Sequence, residues 1–169
     1  EIVISMPRIS SSAGTHEISA TIRGGGIDKH IWFRSSTVFG ESLSYRSVAF
    51  LTVALFPAMR QGLPLRIEAP VPAEIMQRLA DFQRIYSQWF SFFRPVQITA
   101  QDEEESINGV DVSGNNAFFF TAGVDSFHTY LRNQDKITHA LYLYGADLSL
   151  DQKELQEFVS GELCRATEE

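Results

Sequence analysis

Two short apolar segments joined by a glycine-containing loop and a helical pattern constrain the fold of this chain more than any other feature. Residues 117–120 are continuously apolar, which is typical of a strand buried on both faces of a parallel sheet. Residues 127–133 are predicted to be helical, and residues 138–144 are predicted to form the next strand. Parallel neighbours require a crossover of this kind. The pattern therefore predicts a right-handed βαβ unit and an α/β class for this part of the chain.

The loop between the first strand and the helix, residues 121–126, lies where open α/β sheets bind ligands. Free N–H groups and the helix dipole attract phosphate at this position. Gly123 allows the backbone to approach a ligand closely or to adopt positive φ. Thr121 and Ser126 supply hydroxyl groups, and Asp125 can cap the helix or help to hold a magnesium ion. The alternative interpretation is a tight turn with a capping Asp–Ser pair and no ligand.

Residues 118–126 resemble the SGGxDS signature of the PP-loop ATP pyrophosphatases. That superfamily includes GMP synthetase, asparagine synthetase, NAD synthetase and several tRNA-modifying enzymes. The positions that match the motif are Gly123, Asp125 and Ser126. Thr121 replaces the first Ser and keeps a hydroxyl group, whereas Ala122 replaces the first Gly. The resemblance covers residues 117–147, and it implies that residues 117–169 supply the first βαβα of a parallel-sheet, Rossmann-like PP-loop domain.

The resemblance also implies an activity. ATP is expected to bind with Mg²⁺, and an oxygen of an unidentified small-molecule substrate attacks the α-phosphate with release of pyrophosphate. The adenylate is then displaced by ammonia, an amine or a sulfur nucleophile, as in a ligase or transferase. Asp125 and Ser126 are the expected catalytic residues, and no dedicated metal-ligand set is expected. The expected nucleotide-binding residues are Phe120, Thr121, Ala122, Gly123, Val124, Asp125, Ser126, Tyr144, Gly145 and Asp147, with Leu143 also near the adenosine.

Ala122 is the departure from the motif that bears most on activity. If the backbone has positive φ there, Ala is less stable than Gly by about 1 kcal/mol or more. If the backbone is ordinary, the added methyl group crowds the phosphate. Both cases predict weaker binding or lost catalysis. A degenerate nucleotide-binding or protein-interaction module without catalysis is therefore the alternative function.

Residues 1–100 are predicted to form a small α+β module. Period-2 alternation with Gly and Ser breaks predicts antiparallel strands within residues 2–34. A helix capped by Ser42 or Ser44 is expected to end at Gly62. A second helix is expected to begin at Pro72 and to present Ile75, Leu79, Phe82, Tyr86 and Trp89 on one face. Short strands are expected within residues 65–69 and 96–100.

Charge is divided unevenly along the chain. Residues 1–100 hold 10 Lys/Arg and 7 Asp/Glu, a net charge of +3, and residues 101–169 hold 4 and 14, a net charge of −10. Residues 101–116 are acidic and rich in turn signals, and we interpret them as a linker or an exposed hairpin. Phosphate contacts need Lys and Arg, so nucleic-acid binding is disfavoured, including that of an RNA-modifying enzyme.

The remaining features concern compartment and completeness. Cys164 is the single cysteine, and the longest apolar run, residues 48–59, is too short for a membrane span of about 20 residues. We therefore expect a cytoplasmic protein without membrane contact. A PP-loop domain has more parallel strands than residues 117–169 supply, so the domain is expected to be truncated. A sheet with exposed edges is expected to associate with a second copy or with a partner that completes the domain.

Overall fold

The acidic segment 101–116 contains the division between two units of the chain, Glu1–Gly109 and Val110–Glu169, in the computed structural model. The structure describes residues 1–12, 14–36, 47–101, 103–104, 114 and 116–168. Helices and strands occur in both units, so the protein is mixed α/β, as the sequence predicts. Most of the segment 101–116, which the sequence predicts to be a linker or a hairpin, lies outside the described residues. No helix among the described residues is long and apolar enough to cross a bilayer.

The first unit is built on a mixed sheet. Its strands are β1 (Ile2–Ile4), β2 (Arg8–Ser12), β3 (Thr15–Gly24), β4 (Ile27–Ser36), β5 (Leu65–Ile67), β6 (Val71–Pro72), β7 (Ile98–Ala100) and β8 (Glu103–Glu104), and its helices are α1 (Val48–Gln61) and α2 (Ala73–Trp89). β3 pairs antiparallel with β4 along one edge and with β2 and β1 along the other. β1, β5 and β7 are parallel neighbours, and β6 pairs with β8 in a separate parallel ladder.

The antiparallel strands predicted within residues 2–34 are confirmed by β1, β3 and β4, whereas the strands expected within residues 65–69 and 96–100 are β5 and β7, which run parallel to β1. Each of these two strands follows a helix, and the helical crossover returns the chain in the same direction as the preceding strand of the sheet. The local alternation within a strand carries no information about which distant strand will pair with it. The sheet of the first unit thus combines the antiparallel strands β1 to β4 with the parallel strands β5 and β7.

The hydrophobic core of the first unit lies between one face of this sheet and the helices. Ile2 and Ile4 are fully buried, whereas Val3 between them is only partly covered, as expected for alternating side chains. The buried cluster comprises Ile2, Ile4, Ile18, Ala20, Ile22, Phe50, Leu51, Ala54, Leu55, Ala58, Met59, Leu65, Ile67, Ala69, Val71 and Leu79. Burial of each large apolar side chain contributes about 1.5–3 kcal/mol. The other sheet face carries mostly polar residues.

The helix ends of the first unit follow local signals. α1 ends at Gly62, which has a left-handed φ of 66° and donates its N–H to the Ala58 carbonyl, as the sequence predicts. The predicted caps Ser42 and Ser44 lie outside the described residues. α2 begins directly after Pro72.

The predicted apolar face of α2 is mostly correct. Leu79 is buried, and Ile75, Phe82 and Tyr86 pack against the core. Trp89 is an exception, because it is the last residue of the helix and is 69% exposed. Its ring contacts that of Tyr86 at a centroid distance of 5.8 Å instead of entering the core.

The second unit runs β9 (Ala117–Phe119), α3 (Val124–Asn133), β10 (His139–Leu141) and α4 (Lys153–Glu168). β9 and β10 are parallel, with Ala117 opposite His139. Aromatic rings join β9 to α3: Phe118 stacks on Tyr130 at 5.9 Å, and Phe120 meets Phe127 edge-on at 5.0 Å. These contacts hold the helix against one face of the strand pair.

The expectation that the first strand is buried on both faces is wrong for the described residues. Phe120 is 1% exposed, but Phe119 is 61% exposed, because successive side chains of a strand point to opposite faces and only one of these faces carries α3. All three residues of β10 are exposed as well.

Candidate functional site

The loop at the carboxyl end of β9 is shorter than the sequence predicts. β9 ends at Phe119 and α3 begins at Val124, so residues 124–126 form the first turn of the helix instead of a loop. Gly123 is the N-cap, with φ −75° and ψ 161°, and its carbonyl accepts the N–H of Phe127 at 3.0 Å. The helix therefore starts three residues before the predicted position.

Ala122 has an unusual backbone conformation within this loop. Its φ is 56°, and among the described residues it is the only non-glycine residue with positive φ. Such a conformation costs an L-residue about 1–2 kcal/mol. Gly123, in contrast, has ordinary φ, and a Cβ added to it would meet Thr121 Oγ1 at 3.6 Å, which is normal contact. The positive φ thus lies at the position where the PP-loop signature has its first Gly.

We predict that Ala122→Gly stabilises the second unit by about 1 kcal/mol, because glycine adopts positive φ without the steric conflict of a Cβ. Hydrogen exchange of the Phe127 and Tyr130 amides measures this locally. Ala166→Gly, within α4, is the control and should destabilise its helix by about 0.5–1 kcal/mol. Unchanged or reduced protection of α3 in Ala122→Gly would contradict the assigned strain.

The first turn of α3 presents unsatisfied N–H groups. Gly123 has no side chain, and no side-chain cap bond is made there. The leading N–H groups of a helix have no partner within the helix, so those of residues 124–126 remain available to an anion. Val124 carries no polar group and is 86% exposed. An anion can therefore approach this end of α3 without displacing protein contacts.

The polar side chains of the turn have different roles. The Ser126 hydroxyl donates to the Gly123 carbonyl at 2.9 Å, which leaves its oxygen lone pairs for other donors. Asp125 is exposed, and its backbone carbonyl accepts the Thr129 hydroxyl at 2.9 Å. Thr121 is also exposed. In the described residues no group of three or more His, Cys, Asp or Glu side chains is placed to hold a metal ion.

A cleft of about 230 Å³ lies next to the carboxyl ends of both strands. Its lining residues are Phe120, Ala140, Leu141, Tyr142, Tyr144, Ser160, Leu163, Cys164 and Thr167. Ligand pockets typically measure about 300–1,000 Å³, so this cleft matches one ring system rather than a whole nucleotide. Aromatic walls with hydroxyl groups at the edge suit a planar heterocycle.

The structure places the predicted nucleotide-binding residues in three places. Phe120 and Tyr144 line the cleft, and residues 121–126 form the short loop and the first turn of α3 that follow Phe120 directly. Leu143, Gly145 and Asp147 are exposed and lie outside the cleft lining. Phe120 therefore belongs to the cleft wall and is covalently joined to the turn. Sequence reasoning missed the α4 side of the cleft, formed by Ser160, Cys164 and Thr167. The helical spacing of Ser160 and Cys164 places them on one face, but no sequence signal connects that face to β10.

Tyr142 is a further cleft residue that the sequence did not indicate. Partial burial raises its pKa, and the charges of Asp147 and Tyr144 raise it further. Its hydroxyl thus stays protonated at neutral pH and can donate a hydrogen bond. The rings of Tyr142 and Tyr144 meet edge-on at 5.1 Å. Asp147, a predicted nucleotide-binding residue, thus influences Tyr142 through its charge and does not itself line the cleft.

Gly145 shapes the chain after the cleft. Its φ is 87°, and a Cβ there would lie 3.1 Å from Leu150 Cγ. Positive φ and limited space both favour glycine at this position. The residue lets the chain turn back between β10 and α4.

No protein-family model, no curated protein and no solved structure matches this chain. The likeness to the PP-loop ATP pyrophosphatases rests on residues 118–126 of the sequence.

Proposed function

We propose that the second unit binds ATP as a PP-loop nucleotide site, and that the protein adenylates an oxygen of a small-molecule substrate. The observation that carries this proposal is the uncapped first turn of α3. It follows a strand of a parallel pair, and it contains Asp125 and Ser126 at the spacing of the PP-loop signature.

The phosphates of ATP are proposed to lie at this turn. The free N–H groups of residues 124–126 and the Thr121 hydroxyl would donate to phosphate oxygens. Asp125 is a carboxylate in the same turn and repels phosphate unless a cation lies between them. We therefore infer that ATP binds with Mg²⁺, which prefers carboxylate and phosphate oxygens and keeps several waters. When bound, Mg²⁺ supplies positive charge that stabilises the leaving pyrophosphate.

The adenine ring is proposed to occupy the cleft. Phe120 and Tyr144 offer apolar ring surface, and the Tyr142 hydroxyl, protonated at neutral pH, can donate to a ring nitrogen. Ser160 and Thr167 add hydroxyl groups from α4. The size of the cleft agrees with one ring system, while the phosphates would remain outside it at the turn.

In the proposed reaction, the substrate oxygen forms a bond to the α-phosphorus, and the bond between that phosphorus and the bridging oxygen breaks. Pyrophosphate leaves with this electron pair, and the adenylate remains on the substrate. Incubation with ATP, Mg²⁺, ammonia and pools of carboxylate or amide compounds should then yield pyrophosphate, and displacement of the adenylate by ammonia should release an equal amount of AMP. Formation of ADP and inorganic phosphate in place of pyrophosphate and AMP would contradict this reaction.

A nucleotide-binding or interaction module without catalysis is the second candidate. The strained Ala122 favours it, because its methyl group lies in the loop that would surround the phosphates. ATP binding without pyrophosphate release, combined with pyrophosphate release by Ala122→Gly, would select this candidate for the natural sequence.

A further inference from the structure

A second cleft, of about 340 Å³, lies in the first unit on the sheet face opposite the hydrophobic core. On β3, Ile18 and Ile22 are buried, so the alternating residues Ser19, Thr21 and Arg23 are on the other face. All three line the cleft. All lining residues of this cleft belong to the first unit, whereas the residues of the proposed ATP site belong to the second.

Strand register brings two further basic side chains to this surface. Arg8 on β2 is paired with Ser19, and His30 on β4 is paired with Thr21. Paired residues of neighbouring strands point to the same face. Arg8 and His30 therefore lie beside the hydroxyl groups of β3, and both line the cleft.

The break between β1 and β2 borders the cleft, since Ser5 and Met6 are among its lining residues. β1 ends at Ile4 and β2 begins at Arg8, with a buried Pro7 between them that has no N–H for the ladder. Ser5 bridges the gap, since its N–H donates to the Thr21 carbonyl and its hydroxyl oxygen accepts the Thr21 N–H, both at 2.9 Å. Two hydrogen bonds between Ser5 and Thr21 thus hold this break against β3.

The charges around the cleft favour an anion. Glu68 is its acidic lining residue, and Arg66 already pairs with that carboxylate at 3.0 Å. Arg23 donates from Nε to Asp28 at 3.2 Å, and its other guanidinium N–H groups are not used in that pair. Exposed ion pairs of this kind contribute little, so Arg23 can turn to a ligand. Arg8 takes part in none of the ion pairs found among the described residues.

We propose that this cleft binds the phosphate group of a small molecule. The guanidinium groups of Arg8 and Arg23 can each donate two parallel hydrogen bonds, and the His30 imidazole and the hydroxyls of Ser19 and Thr21 add further donors. A phosphate monoester has three terminal oxygens to accept them. A carboxylate has two, so it leaves more of these donors unpaired.

Amide NMR titrations at constant ionic strength test this proposal. The probes are inorganic phosphate, glycerol 3-phosphate and acetate, and the readouts are the Arg8, Ser19 and Thr21 amides. We expect saturable shifts with both phosphates in the low millimolar range or tighter, and weaker, non-saturating shifts with acetate. Tighter binding of glycerol 3-phosphate than of inorganic phosphate would identify an ester as the preferred ligand, and the reverse order would identify the free ion.

Arg8→Gln should weaken phosphate binding by about tenfold, because it removes a charged bidentate donor from an exposed position. Thr21→Val, which keeps strand propensity, should weaken it less. Arg84→Gln is the matched control, since Arg84 is an exposed arginine of the same unit on α2. Equal loss in Arg84→Gln and Arg8→Gln, saturation by acetate at the same concentration, or much tighter binding of a single-stranded oligonucleotide would overturn the proposal.

Discussion

Asp125→Asn is expected to reduce ATP-dependent pyrophosphate release by about 100-fold, because it removes the carboxylate that would hold the cation of the leaving group. Mg²⁺ should also increase the affinity of this variant for ATP much less than it increases that of the wild type. Calorimetric titration with ATP in Mg²⁺ and in EDTA separates the two contributions. In EDTA, the variant should bind ATP at least as well as the wild type, since a negative charge beside the phosphates is gone.

Asp135→Asn is the matched control for this prediction. Asp135 is exposed and follows the other end of α3, so the substitution makes the same charge change in the same unit. Loss of a carboxylate from the first turn destabilises the helix by only about 0.3–1 kcal/mol. Circular dichroism should therefore show that both variants remain folded. Equal activity in the wild type and Asp125→Asn, or equal loss in Asp135→Asn, would remove Asp125 from the proposed site.

Phe120→Ala is expected to destabilise the second unit by about 3–5 kcal/mol, as is usual when a buried aromatic side chain is truncated. Phe120 is 1% exposed, and its ring lies 5.0 Å from that of Phe127 and 5.4 Å from that of Phe118. Its removal would leave a cavity at the junction of β9, α3 and the cleft. Hydrogen exchange of the α3 amides reports the loss.

The neighbouring residue provides the control for this second prediction. Phe119→Ala makes the same chemical change one position earlier, at a side chain that is 61% exposed. We expect a loss below about 1 kcal/mol, mainly from reduced strand propensity. Similar losses in both variants would mean that α3 does not pack on the face of β9 that carries Phe118 and Phe120.

Local signals in the sequence were sufficient for several parts of the fold. A glycine after an apolar helical run predicted the end of α1 at Gly62, and the alternation of Ile2 and Ile4 predicted a half-buried strand. The order of strand, helix and strand in the second unit followed from two apolar runs and the helical pattern between them. In each case neighbouring residues determine the outcome, so a short window is sufficient.

Long-range contacts could not be predicted in the same way. The parallel partners of β5 depend on where two helices return the chain, and β5 itself contains three residues. The sequence predicts too late a start for α3 because Asp125 and Ser126 are strong N-cap residues, whereas the cap is Gly123. The α4 wall of the cleft also depends on tertiary packing.

The sequence is compatible with two backbone conformations at Ala122. The motif indicated that a glycine position had been replaced, but the sequence alone did not decide whether its backbone has positive φ. The φ of 56° selects the strained case. This is why Ala122→Gly is informative about both stability and catalysis.

The proposed ATP site is tested most directly by the reactivity of Cys164, the single cysteine of the chain, which is exposed and lines the cleft. The rate of its alkylation by iodoacetamide is measured alone and with ATP and Mg²⁺, adenosine or pyrophosphate. ATP at ten times its dissociation constant should slow the reaction by about tenfold, because about one molecule in ten is then free. Adenosine should also protect, whereas pyrophosphate should not, since it would occupy the turn of α3 and leave the cleft open. An alkylation rate that is the same with and without saturating ATP would contradict the account.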